Sequence, residues 1–153
     1  MIRMAGAASQ TEKTTLRARS PVTGVVRLLV ADDHAVMRQG LTSFLGQEPD
    51  IVVVGEAKDG AMAVDKARRL QPDVVLMDIG MPGMSGIEAT RLIHSEMPNI
   101  RVIGLSMFEE KEQADAMFEA GAVAYLTKTC SVDALTATIR KCVGKPDLPV
   151  NRI

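Results

Sequence analysis

The sequence predicts an α/β domain: a doubly wound, five-stranded parallel sheet covered by five helices. Short apolar runs of strand length alternate five times with segments whose apolar residues recur at helical spacing. Two of the runs, Arg27–Ala31 and Val74–Met77, are apolar almost throughout, as strands buried on both faces are. Regular strand–helix alternation calls for right-handed crossovers and a parallel sheet with helices on both faces.

The elements follow in order. Residues 1–25 read as a flexible tail or linker, because "AASQTEKTTLRARSPVTG" is polar and has neither a strand nor a helix period. Arg27–Ala31 is the first strand. Met37, Leu41, Phe44 and Leu45 then share one helix face, and "GQEPD" ends that helix. Ile51–Gly55 is β-branched and forms the second strand. Asp59 caps a helix carrying Ala63, Val64, Ala67 and Leu70. Val74–Met77 is the third strand. A helix from about Gly86 to Met97 stops before Pro98, and Arg101–Leu105 is the fourth strand. "FEEKEQADAMFEAG" is a helix with acids in its first turn and Gly121 beyond its end. Val123–Thr127 is a short fifth strand, and the last helix aligns Val132, Leu135, Ile139 and Cys142. The domain spans 26–144 and leaves 145–153 as a C-terminal tail.

Composition narrows the function classes. The 153 residues suit one domain, and 46% hydrophobic with 24% charged is a globular balance. A formal net charge of −1 supplies no field for nucleic acid or an anionic membrane. No apolar run approaches the ~20 residues of a membrane span, and no secretion signal opens the chain. Cys130 and Cys142 form neither a disulfide framework nor a metal framework. A cytoplasmic location is the expectation by elimination.

Ligands of open parallel sheets bind beyond the carboxyl ends of the strands. Those ends carry Asp32-Asp33, Asp78, Ser106 and Lys128. Two like charges ~4 Å apart repel by about 1 kcal/mol in water and about 4 at an effective dielectric of 20. Such a group of acids needs a proton, a cation or both, and hard oxygen donors suit Mg²⁺. His34 and His94 have no metal-like partner in the sequence, which disfavours zinc.

The segments "LLVADDHAVMRQGL", "VVLMDIGMPGMSGIEA", "GLSMF" and "AYLTKT" resemble, in order and spacing, the motifs of the response-regulator receiver domain of two-component signalling. The likeness covers about residues 27–143 and is similar to the NarL/FixJ group. It implies a flavodoxin-like sheet of order 2-1-3-4-5. It also implies that Asp78 accepts a phosphoryl group from a sensor histidine kinase or a histidine phosphotransfer domain, and that the surface around the fourth helix, fifth strand and fifth helix switches in response. Asp32 and Asp33 would bind Mg²⁺, with Asp33, Asp78 and the backbone carbonyl of Gly80 as direct ligands. Lys128 would hold a phosphoryl oxygen. Ser106 would bond the phosphoryl group and move toward it, and Tyr125 would turn inward when it does. The chain would be a phosphoacceptor rather than an enzyme with turnover. Many receivers place proline after the lysine, where this chain has Thr129.

Rival readings share features of this pattern. Asp33 could be a helix cap, and Gly83, Gly86 and Pro82 are turn residues in any fold. A flavodoxin-like cofactor binder wants a neutral phosphate-cradling loop where this chain has Asp32-Asp33-His34. An aspartyl-phosphate phosphatase of the haloacid dehalogenase kind carries D-x-D on its first strand, whereas these acids are adjacent. "KPDLPVNRI" supplies no DNA-binding domain, so the expectation is the terminal receiver of a hybrid histidine kinase, with a stand-alone receiver or a truncated DNA-binding regulator as alternatives. A homodimer through the first, fourth or last helix fits the pattern, which does not choose among them.

Overall fold

A computed structural model describes residues 3–4 and 24–144. The C-terminal tail read from the sequence, 145–153, and most of the N-terminal one lie outside the described residues. The elements are β1 (Arg3–Met4), β2 (Val26–Ala31), α1 (Ala35–Gly46), β3 (Ile51–Ala57), α2 (Gly60–Leu70), β4 (Val74–Asp78), α3 (Gly86–Glu96), β5 (Arg101–Ser106), α4 (Lys111–Ala120), β6 (Ala124–Thr127) and α5 (Val132–Cys142). The sheet runs β3-β2-β4-β5-β6-β1. Its five parallel strands, β2 to β6, follow the predicted order 2-1-3-4-5, with β2 and β4 paired at the centre. No helix among the described residues is long and apolar enough to cross a membrane.

One strand departs from the sequence reading. Arg3 and Met4, inside the segment read as a tail, pair antiparallel with Tyr125 and Ala124. They cover part of an edge of β6 whose backbone groups would otherwise lack strand partners. Two residues are too few to show a period, so patterning could not reveal them.

Alternation along the strands divides the core in two. Leu28, Val30, Leu76, Ile103 and Leu126 face α1 and α5, meeting Leu45, Leu135 and Ile139. Leu29, Ala31, Val75, Met77 and Val102 face α2, α3 and α4, meeting Ala63, Ala67, Ala89, Ile93 and Met117. The helix ends obey local chemistry. Asp59 accepts from the Met62 amide at 2.7 Å, Ser85 and Ser131 cap α3 and α5, and Gly121 ends α4 at φ 118°.

The apolar face predicted for α1 is only partly internal. Leu45 is buried, whereas Phe44 is 56% exposed. Met37, Leu41 and Phe44 instead line an open groove between α1 and α5, together with Val132 and Leu135. Periodicity names the apolar face of a helix but not how closely its neighbour approaches. The last helix also hides a charge. Arg140 is 2% exposed and donates to Asp50 and Glu48 at 2.7–2.9 Å, tying α5 to the turn before β3.

Glycine sets the approach of α3 to the end of β4. A Cβ on Gly86 would sit 2.1 Å from the Asp78 carbonyl oxygen, while one on Gly80 would meet nothing within 4 Å. Gly86→Ala is therefore expected to lower stability by about 2 kcal/mol or more, as overpacking against backbone does. Gly80→Ala should stay within about 0.5 kcal/mol of the native chain. Urea unfolding of the two variants checks the contrast.

Candidate functional site

The topology brings the predicted residues together. Ala31 pairs with Met77, so Asp32, one residue past β2, lies beside Asp78 at the end of β4. Both are internal, at 0% and 4% exposure. Lys128 follows β6 and reaches back over β5, and its backbone N–H donates to the Ser106 carbonyl at 2.7 Å. Its ammonium lies 2.8 Å from Asp32 Oδ2 and 3.3 Å from Asp78 Oδ2, with its side chain 2% exposed. Asp33 stands at the mouth. Its cap role is excluded, because the residue preceding α1 is His34 and no side chain caps that helix.

Charge in this cluster is unbalanced. Three carboxylates face one ammonium. Asp32 Oδ2, Asp33 Oδ1 and Asp78 Oδ2 are buried without a hydrogen-bond donor, although Lys128 stands close to two of them. One ammonium shared between two of these oxygens leaves the third, on Asp33, without a cation beside it. Burial pushes the Asp78 carboxyl above its ordinary value. Lys128 pulls it down, Asp32 pushes it up, and the Gly80 N–H, donating to Asp78 Oδ1 at 3.2 Å, favours the charged form. The orphaned oxygens are the observation that tests a cation, and hard donors gathered in this way fit Mg²⁺.

The remaining predicted residues surround this centre. Gly80 sits in the loop beyond Asp78. The Ser106 hydroxyl accepts from the Phe108 N–H at 3.3 Å and donates to Gln113 at 3.5 Å. Tyr125, expected to turn inward on switching, is already inside at 1% exposure, and its hydroxyl donates to the Phe108 carbonyl at 3.2 Å. Room for the ring comes from Gly104 on the neighbouring strand, where a Cβ would lie 3.2 Å from a ring carbon. The Lys128–Thr129 peptide is trans.

Two residues stand closer to the site than the sequence suggested. His34 does have metal-like partners: its Nδ1 is 3.4 Å from Asp32 Oδ1 and 3.2 Å from Asp33 Oδ1. The turn that bonds the His34 N–H to Asp32 Oδ1 at 2.8 Å folds the ring back over the acids, which linear spacing does not reveal. Arg38, to which the sequence pattern assigns no role, is the second. It donates to the Asp32 carbonyl at 2.6 Å and to Glu56 at 3.0 Å, fixing the start of α1 to the site. Its place one turn after His34 was the available signal.

The raised Asp78 carboxyl carries a stability consequence. The folded chain holds that proton more tightly than the unfolded chain. Ionised Asp78 therefore costs stability above the ordinary carboxylate range, and the cost fades as pH falls through that range. Asp78→Asn should therefore raise Tm at pH 7. The gain should vanish near pH 3, as thermal melts at the two pH values would show.

Residues 28–140 match the response regulator receiver domain family. The transcriptional regulatory protein LiaR of Bacillus subtilis is 43% identical over 125 residues, covering 81% of this chain and 59% of LiaR. The response regulator domain of Thermotoga maritima CheB superposes with a TM-score of 0.73 at 40% identity, covering 80% of this chain and 98% of that one. The receiver of the putative response regulator NarL from Mycobacterium tuberculosis gives 0.75 at 32% identity, covering 78% and 96%. The chain spans a little over half the length of the curated regulators it matches. The match over most of the chain, the strand order and the acids at the strand ends agree: the chain belongs to the response regulator receiver domain family of two-component signalling, in its NarL-like branch.

Proposed function

We propose that Asp78 accepts a phosphoryl group from a phosphohistidine on a sensor histidine kinase or histidine phosphotransfer domain, with Mg²⁺ required. The observation that carries this reading is the trio of buried carboxylate oxygens without donors, facing Lys128 at the strand ends. An Asp78 carboxylate oxygen attacks phosphorus in line. The bond from phosphorus to the donor imidazole nitrogen breaks as the bond to Asp78 forms, and the imidazole leaves. Anion meets anion in this step, so positioning and charge stabilisation dominate its barrier. Lys128 supplies one fixed positive charge to a phosphoryl oxygen. Mg²⁺, held by Asp33, Asp78 and the Gly80 carbonyl with Asp32 in support, would supply the rest.

The same reading assigns the output. Ser106 gives up Gln113 and Phe108 to bond the phosphoryl group. Because Tyr125 also holds Phe108, movement of Ser106 changes the surface formed by α4, β6 and α5. The chain acts as a cytoplasmic phosphoacceptor that changes partners, including a second copy of itself, rather than as an enzyme. Its relative LiaR is named a transcriptional regulatory protein, which favours the receiver of such a regulator over the end of a hybrid kinase. Direct nucleic-acid contact by this segment is not expected at a net charge of −1.

Incubation with Mg²⁺ and acetyl phosphate should add one phosphoryl group by intact mass. Labelling should disappear in Asp78→Ala or with excess chelator. In Lys128→Ala the labelling rate should fall by about 10²-fold, as when one preorganised charge donor is removed. Undiminished labelling of Asp78→Ala would refute the assignment.

A further inference from the structure

The geometry points to His34 as a nitrogen ligand of the acidic site, extending it from Mg²⁺ to divalent transition metals such as Co²⁺. This rests on the cation site read above but concerns a residue to which that reading gives no role.

Distances are the first argument. The ligand atoms of Asp32, Asp33, His34 and Asp78 all lie within 4.8 Å of one another. An octahedral ion with bonds of ~2.1 Å separates its ligands by about 3–4 Å. His34 Nδ1 stands 3.2 and 3.4 Å from oxygens of Asp33 and Asp32, the separation of adjacent ligands. The second argument is what these atoms fail to do. Asp33 Oδ1 is buried without a hydrogen-bond donor, although the imidazole is beside it. The pair is close without forming a bond, as two ligands of one ion are. Asp32, 0% exposed, and Asp78, with its side chain 6% exposed, also aim into the site oxygens that have the Lys128 ammonium as ion-pair neighbour but no hydrogen-bond donor.

The fold leaves the ring free for this task. His34 precedes α1 in an extended conformation, yet its side chain caps nothing and is 67% exposed. Its backbone is meanwhile fixed by the bond from its N–H to Asp32 Oδ1. A pinned backbone with an unused ring costs little to reorganise when an ion arrives. Ligand preference gives the selectivity. Mg²⁺ prefers oxygen donors and retained water, so an imidazole adds little for it. Co²⁺, Ni²⁺ and Zn²⁺ gain from a nitrogen donor.

Isothermal titration of the full chain with Mg²⁺ and with Co²⁺, native and His34→Ala, tests this. The Co²⁺-loaded protein should also be read by proton NMR for a hyperfine-shifted imidazole N–H. Native protein should bind Co²⁺ more tightly than Mg²⁺ and release it to excess Mg²⁺. His34→Ala should weaken Co²⁺ by about tenfold, lose the shifted proton and leave Mg²⁺ affinity unchanged. His94→Ala, the control for the other histidine, should change none of these. Equal Co²⁺ affinity in native and His34→Ala protein, with no shifted proton assigned to His34, would overturn the inference while leaving the Mg²⁺ site intact. Failure of both ions to bind would instead overturn the cation site and this inference with it.

Discussion

Lys128 is one ammonium among three carboxylates, 2.8 Å from Asp32 and 3.3 Å from Asp78, in a place water hardly reaches. It cannot neutralise both buried acids and Asp33 as well. At an effective dielectric of 20, each close carboxylate pair repels by about 4 kcal/mol, comparable to what the lysine returns through one contact. The folded chain therefore carries a standing deficit of positive charge at the ends of β2 and β4. Burial raises the Asp78 carboxyl, and the neighbouring Asp32 adds to that rise against the pull of Lys128; on the proposed reading, this is the imbalance that a cation and a phosphoryl group would meet.

The rest of the molecule keeps this unfavourable cluster together. Four parallel strands bring Asp32, Asp78, Ser106 and Lys128 to one edge, and strands with apolar residues on both faces resist displacement. Gly86 lets α3 press against the Asp78 carbonyl, Arg38 anchors the turn after Asp32, and the Lys128 amide is tied to β5. Relaxation by moving apart would cost core packing on both faces of the sheet. The cost of gathering these charges is local to the strand ends, and the two apolar layers offset it.

The sheet and the centre of the site were legible because both depend on short-range pattern. Strands such as Val74–Asp78 are apolar runs of fixed length, and the position after such a run lies by necessity at the sheet edge. The partial burial of α1 was not legible, because Phe44 has the same period whether α5 closes on it or leaves a groove. The burial of Arg140 was not legible either, since its partners Glu48 and Asp50 are distant in sequence. His34 seemed unpartnered because a turn, rather than a spacing, folds its ring over the acids. Tyr125 reads as an aromatic at a strand position, while its inward placement depends on Gly104 of the neighbouring strand and on the Phe108 carbonyl.

Asp78 is a buried carboxylate beside too little positive charge, and a divalent cation would relieve it. The most direct test is the pH titration of the Asp78 side-chain carboxyl carbon by NMR, with and without Mg²⁺. The midpoint should lie above the ordinary carboxylate range without the ion and fall to or below that range with it. A midpoint in the ordinary range that Mg²⁺ does not move would contradict this.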